Sequence, residues 1–223
     1  MLGNHIRALI FDLDGVIVDT TRFHFASWVK LAQELGFEIP ASLDEELKGL
    51  GRLESLQKVL NYRAEITPQE DWQAMASRKN DLYLANISHL SYGDALPGVI
   101  EFLEDARANG MLLAIGSGSK NARSILSRLG ITGMFNYICD GTDTKRSKPD
   151  PEVFQCACSG IGVSPGEAIV FEDAVSGVEA ALRCGTRVVG IGKADILTKA
   201  ELVLTSLEHT NIKEIIQKLP KSA

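Results

Sequence analysis

The chain has 223 residues, enough for one large domain or one domain carrying an insert. Its 29 acidic and 23 basic side chains leave a net charge of −6, which argues against a nucleic-acid or membrane-surface binder, since either needs a basic face. With 45% hydrophobic and 23% charged residues the composition is that of an ordinary globular protein, and no apolar run reaches the roughly 18 residues of a membrane helix.

In chain order, the first apolar run is residues 8–13, read as a buried strand, and Asp12 interrupts it too early for a secretory segment. Residues 21–93 then hold almost no strand signal, with helical patterns at 24–35, 43–48, 54–61 and 68–85. Beyond them the pattern alternates: helix 99–108, strand 111–115, helix 121–129, a weaker strand 136–139, helix 151–161 and strand 168–171. Helix 176–184, strand 187–191, a weaker strand 201–204 and a closing helix 211–219 complete it. Strands alternating with helices predict an α/β core with a parallel sheet covered on both faces. The core takes residues 1–20 and 94–223, and residues 21–93 form an all-helical insert, with hinges at 20–22 and at 93–98, which includes Pro97.

The cysteines Cys139, Cys156, Cys158 and Cys184 show no zinc-site spacing. Cys156 and Cys158 are two apart in a helical pattern and point to different faces. All four read as reduced packing residues in a cytoplasmic protein.

The chemistry concentrates at strand ends. Asp12 and Asp14 close the first strand with Gly15 behind them, where ligands of open parallel sheets bind. Taken alone, the pair also reads as a solvated turn rich in Asp and Gly. A second acid pair, Glu172 and Asp173, ends the strand at 168–171. Four carboxylates at neighbouring strand ends repel unless a cation neutralises them, and oxygen-only ligands point to Mg²⁺ rather than zinc. The run Gly116-Ser117-Gly118-Ser119-Lys120-Asn121 opens a helix and offers backbone N–H groups, hydroxyls and a lysine to a phosphate. Lys148, before a helix started by Pro151, can balance phosphate and carboxylate charge, although a lone lysine there also reads as surface.

Asp12-Leu13-Asp14-Gly15-Val16, Ser117, Lys148 and Glu172-Asp173 resemble, in order, the four motifs of haloacid dehalogenase superfamily phosphotransferases. The resemblance spans the chain and implies a Rossmann-like parallel-sheet core with an inserted helical cap; the paired aspartates resemble the phosphoryl-transfer branch. Asp19-Thr20, His24-Phe25 with Trp28, the run from Leu47 to Lys58, Arg78-Lys79-Asn80-Asp81 and Ser117–Asn121 are similar to the β-phosphoglucomutase family within it. Two positions depart: Gly118 stands where alanine is expected, and Ala174 where serine is frequent.

That resemblance implies Asp12 as nucleophile and Asp14 as general acid/base, with Mg²⁺ held by Asp12, the Asp14 carbonyl and Asp173, and Glu172 in or near that shell. It implies that Ser117, Gly118 and Lys148 stabilise the transferring phosphoryl group. Arg52 takes the second phosphate of a sugar bisphosphate, completed by Ser119, Lys120 and Asn121. His24 and Lys79 orient the sugar, Gly49 and Leu50 touch it through the backbone, and Thr20 assists Asp14 at the hinge. The implied reaction interconverts β-D-glucose 1-phosphate and glucose 6-phosphate, with glucose 1,6-bisphosphate as the activating intermediate, in a monomer acting on a small sugar phosphate. The competing readings are a sugar-phosphate phosphatase with the same Asp12 chemistry and a non-catalytic binding regulator.

Overall fold

A computed structural model describes residues 6–47, 50–65 and 68–220. The chain divides into two compact units, one made of Met1–Asp19 with Leu90–Ala223 and the other of Thr20–His89.

The first unit is built on a six-stranded parallel sheet: β1 (Ala8–Phe11), β2 (Leu112–Gly116), β3 (Tyr137–Cys139), β4 (Ala168–Glu172), β5 (Arg187–Ile191) and β6 (Leu202–Leu204), ordered β3-β2-β1-β4-β5-β6. Helices α5 (Val99–Ala108), α6 (Ala122–Arg128), α7 (Glu152–Gly160), α8 (Val175–Cys184) and α9 (Ile212–Lys218) belong to this unit. β1 lies between β2 and β4, and all four of its residues are buried, which is why it reads as an unbroken apolar run. Its side chains alternate. Ala8 and Ile10 join the core formed by Phe154 and Ala157 of α7 and Val178 and Ala181 of α8. Phe11 stacks on Phe171 at 4.8 Å and meets Phe102 of α5 edge-on at 6.2 Å.

The strand expected at 8–13 ends at Phe11. Asp12 N–H adds one more bond, to Phe171 O at 2.9 Å, and the chain then turns back, with the Ile17 and Val18 N–H groups both donating to Leu13 O. Gly116, expected in a turn, instead completes β2 by pairing with Cys139.

The second unit contains α1 (Thr21–Glu34), α2 (Leu43–Leu47), α3 (Arg52–Leu60) and α4 (Trp72–Asn86). Trp28, Leu31 and Ala32 on α1, with Leu35 at its C-terminal cap, recur at helical spacing and pack with Leu43, Leu47, Leu56, Val59 and Ala76. α3 starts two residues before the expected position because the Glu54 carboxylate accepts the Gly51 N–H at 2.9 Å. No described helix is long and apolar enough to cross a membrane.

Candidate active site

Parallel pairing aligns the carboxyl ends of β1, β2 and β4, so the segments after them emerge side by side. After β1 the chain makes a tight loop in which Gly15 has φ +86° and donates its N–H to Val18 O at 2.9 Å. A side chain at Gly15 would collide with the Asp173 carboxylate, so the glycine is required by backbone conformation and by the approach of the second acid pair. Asp12, Asp14 and Asp173 are thereby brought to one place.

Lys148 joins the rest. Its Nζ donates to Asp12 Oδ1 and to Glu172 Oε1, both at 2.6 Å, and lies 4.8 Å from the Phe154 ring centroid. Glu172 is 1% exposed, and its other oxygen accepts the Ala174 N–H at 2.8 Å. Burial pulls the Lys148 pKa down, but the charges and hydrogen bonds of Asp12 and Glu172 outweigh it and hold the ammonium above its ordinary value. Burial pushes the Glu172 carboxyl up, against the Lys148 ammonium. Asp173 is pushed up to about 8 by burial and by the charges of Glu172, Asp12 and Asp14, with Lys148 opposing. The repulsion expected among these acids is thus met for Asp12 and Glu172 by a lysine, and falls on Asp173. Among the described residues no three His, Cys, Asp or Glu side chains already converge into a metal cage.

β2 runs into the Ser117–Asn121 loop. Ser117 is buried; its N–H donates to Cys139 O at 3.0 Å and its Oγ accepts the Ser119 N–H at 3.1 Å. Ser119 Oγ accepts the Asn121 N–H at 3.2 Å, while Gly118 and Lys120 are exposed.

Within the helical unit His24, Lys79 and Arg52 form a second cluster. Lys79 is 5% exposed, its Nζ 2.8 Å from His24 Nδ1 and 4.7 Å from the Trp28 ring centroid. An ammonium only donates, so Nδ1 accepts and the proton sits on Nε2. Burial, then Lys79, then Arg52 lower the His24 pKa from 6.5 to about 3. Arg52 Nη2 donates to Asn80 Oδ1 at 2.9 Å, and Asn80 follows Lys79 on α4. Thr20 is buried at the start of α1, where its carbonyl accepts the Phe23 and His24 N–H groups. Leu50 is exposed just ahead of α3, and Gly49 lies outside the described residues.

Three residues have no role assigned from the sequence. Asn80 holds Arg52, Tyr83 stacks on His24 at 4.0 Å between ring centroids, and Asp140 is buried after β3. The spacing of His24, Lys79 and Tyr83 carries a signal only for the last two, one helical turn apart on α4.

Residues 9–191 match the model of the haloacid dehalogenase-like hydrolase family. The chain is 36% identical over 201 residues to the β-phosphoglucomutase of Bacillus subtilis, covering 89% of each chain. It is 29% identical over 221 residues to a phosphorylated carbohydrates phosphatase of Thermotoga maritima, covering 95% of this chain and all of that one. The crystal structure of a β-phosphoglucomutase from Clostridium difficile superposes with a TM-score of 0.88 at 38% identity, over 96% of both chains. With its acid-tipped parallel sheet and inserted helices, the chain belongs to the haloacid dehalogenase-like hydrolase family, alongside the β-phosphoglucomutases, as an enzyme of the sugar-phosphate mutase or phosphatase type.

Proposed function

We propose that the enzyme is a mutase that interconverts β-D-glucose 1-phosphate and glucose 6-phosphate through an aspartyl-phosphate at Asp12 and the 1,6-bisphosphate. The observation that carries this reading is the joined cluster of His24 with Lys79 and Arg52 with Asn80 in the helical unit. It gathers two cations and several donors, which suits a substrate with a second phosphate; hydrolysis of a monophosphate has no need of it.

In the proposed reaction an Asp12 oxygen attacks the C1 phosphorus of the 1,6-bisphosphate and the bond to the sugar oxygen breaks, while Asp14 gives that oxygen a proton and glucose 6-phosphate leaves. β-Glucose 1-phosphate then enters with its 6-hydroxyl toward the phosphorylated Asp12. Asp14 takes the hydroxyl proton, the oxygen attacks phosphorus, and the aspartyl bond breaks, which re-forms the 1,6-bisphosphate. Lys148 holds the Asp12 carboxylate in place through Oδ1. Lys148, Ser117 and Gly118 stabilise charge on the phosphoryl oxygens by fixed donors. A trace of glucose 1,6-bisphosphate charges Asp12 at the outset.

The donor set fits Mg²⁺: the Asp12 and Asp173 carboxylates and the Asp14 carbonyl are hard oxygen ligands, and the elevated Asp173 pKa marks negative charge that a dication would relieve. When bound, the ion would withdraw charge from the phosphoryl group. Glu172, engaged through both oxygens, stands beside that shell and holds Lys148. The free state of Cys139, Cys156, Cys158 and Cys184 supports a reducing, cytoplasmic setting, and the enzyme acts as a monomer.

A sugar-phosphate phosphatase is the second reading, supported by the likeness to the Thermotoga maritima phosphatase over its whole length. Phosphorus NMR with Mg²⁺, β-glucose 1-phosphate and a trace of the 1,6-bisphosphate separates the two. The mutase gives glucose 6-phosphate without inorganic phosphate; growth of inorganic phosphate instead would move the enzyme to the phosphatases. Arg52→Ala is expected to lower mutase turnover by about 10²-fold while hydrolysis of a small aryl phosphate changes less. Equal losses would refute the role given to Arg52.

A further inference from the structure

Behind the Ser117–Asn121 loop lies a second layer of contacts that the mechanism above does not use. Arg123, in the first turn of α6, sends Nε to Asp140 Oδ2 at 3.2 Å. Its Nη2 reaches Ile138 O at 2.6 Å and Asp143 Oδ2 at 2.9 Å. Asp140 is 1% exposed, and its other oxygen accepts the Thr142 N–H at 2.8 Å and the Thr142 hydroxyl at 2.6 Å. Asp143 Oδ2 also takes the Asp140 N–H at 3.0 Å. The segment after β3 is therefore folded around one buried carboxylate and tied to the residue two places beyond Asn121.

The same segment touches the loop itself. Gly141 N–H donates to Ser119 O at 3.1 Å, and Ser117 N–H donates to Cys139 O. A side chain at Gly141 would collide with the Gly118 carbonyl, so the two backbones lie in direct contact. The loop is thus gripped at its first residue, at its middle, and just past its end.

We infer that Arg123 and Asp140 are positioning residues that set the Ser117–Asn121 loop for phosphate, an inference that rests on the reading of that loop as the phosphate site. A half-exposed arginine paired with a surface acid contributes little to stability. Here the acid is buried and its carboxylate accepts from both Arg123 and Thr142, so loss of the guanidinium changes the geometry of the segment in contact with the loop.

The test uses the full chain with inorganic phosphate as the probe. Its dissociation constant is read by ³¹P NMR, and KM and kcat for β-glucose 1-phosphate are measured beside the melting temperature. In Arg123→Met, which keeps the aliphatic stem, phosphate binding and KM are expected to weaken by about tenfold with a smaller change in kcat, and Arg123→Lys is expected to restore part of the loss. Asp140→Asn, which keeps the size of the side chain, gives the same split if Arg123→Met does not fold. Ser117→Ala separates the two levels. If Ser117→Ala weakens phosphate binding and the folded Arg123 and Asp140 variants bind it as the parent does, the positioning role is wrong. If Ser117→Ala leaves phosphate binding intact, the phosphate-loop reading falls and this inference falls with it.

Discussion

Lys148 is the cation that Asp12 and Glu172 share, with 13% of its side chain exposed against 10% and 1% for theirs. Replacing it with methionine takes that charge away from both carboxylates, and breaking a buried pair of this kind costs about 3 kcal/mol. Lys148→Met is therefore expected to unfold at lower urea and to lose about 10²-fold or more in turnover; a variant with turnover near the parent's would remove Lys148 from the phosphoryl site. His24 is the opposite case, a base kept neutral. Between its folded value of about 3 and its unfolded value of 6.5 the unfolded chain binds a proton that the folded chain does not. Its contribution is complete above pH 6.5 and is lost as the pH falls toward 3. The imidazole shift of His24 is expected to stay flat down to about pH 4 by NMR, and His24→Gln is expected to flatten the acid limb of the stability curve. A midpoint near 6.5 for His24 would show that the contact with Lys79 does not persist in solution.

At the scale of the elements, two loop glycines that look alike in the sequence have different jobs. Gly15 has a positive φ and no space beside the Asp173 carboxylate, whereas a Cβ at Gly118 would meet nothing within 4 Å and the φ there is not positive. Gly15→Ala is expected to destabilise the fold and abolish turnover. Gly118→Ala is expected to raise stability by about 0.5 kcal/mol and keep activity, because it restricts the unfolded chain without a clash. Urea unfolding and turnover of the two variants check both; a destabilised Gly118→Ala would mean that the loop needs glycine's backbone. The strand-end acids were legible from the sequence because carboxylates directly against a buried apolar run are costly unless a cation or a ligand meets them. Lys79 was less legible: in Arg78-Lys79-Asn80-Asp81 every neighbour is polar, so α4 carries no clean apolar stripe and its buried lysine looks like surface charge. Asp140 was hidden for a related reason, since an acid beside Gly141 reads as a turn until the fold brings Arg123 to it.

Across the whole molecule, the parallel sheet and the helical insert were readable because strand and helix periods differ and the alternation stops for one long stretch. The ends of elements were not, since single hydrogen bonds at their margins set them. Glu54 extends α3 to Arg52, and the turn onto Leu13 O ends β1 early. The placement of β1 has a further consequence for a chain made from its N-terminus onward. The helical unit, Thr20–His89, is one continuous stretch and is complete once His89 has been made. β1 is made before it, yet its partners are β2, beginning at Leu112, and β4, beginning at Ala168. β1 must therefore wait for both of its neighbours until β2 and then β4 have followed it. The helical unit has all of its own residues available during that wait, whereas the sheet can close around β1 only after β4 has been made.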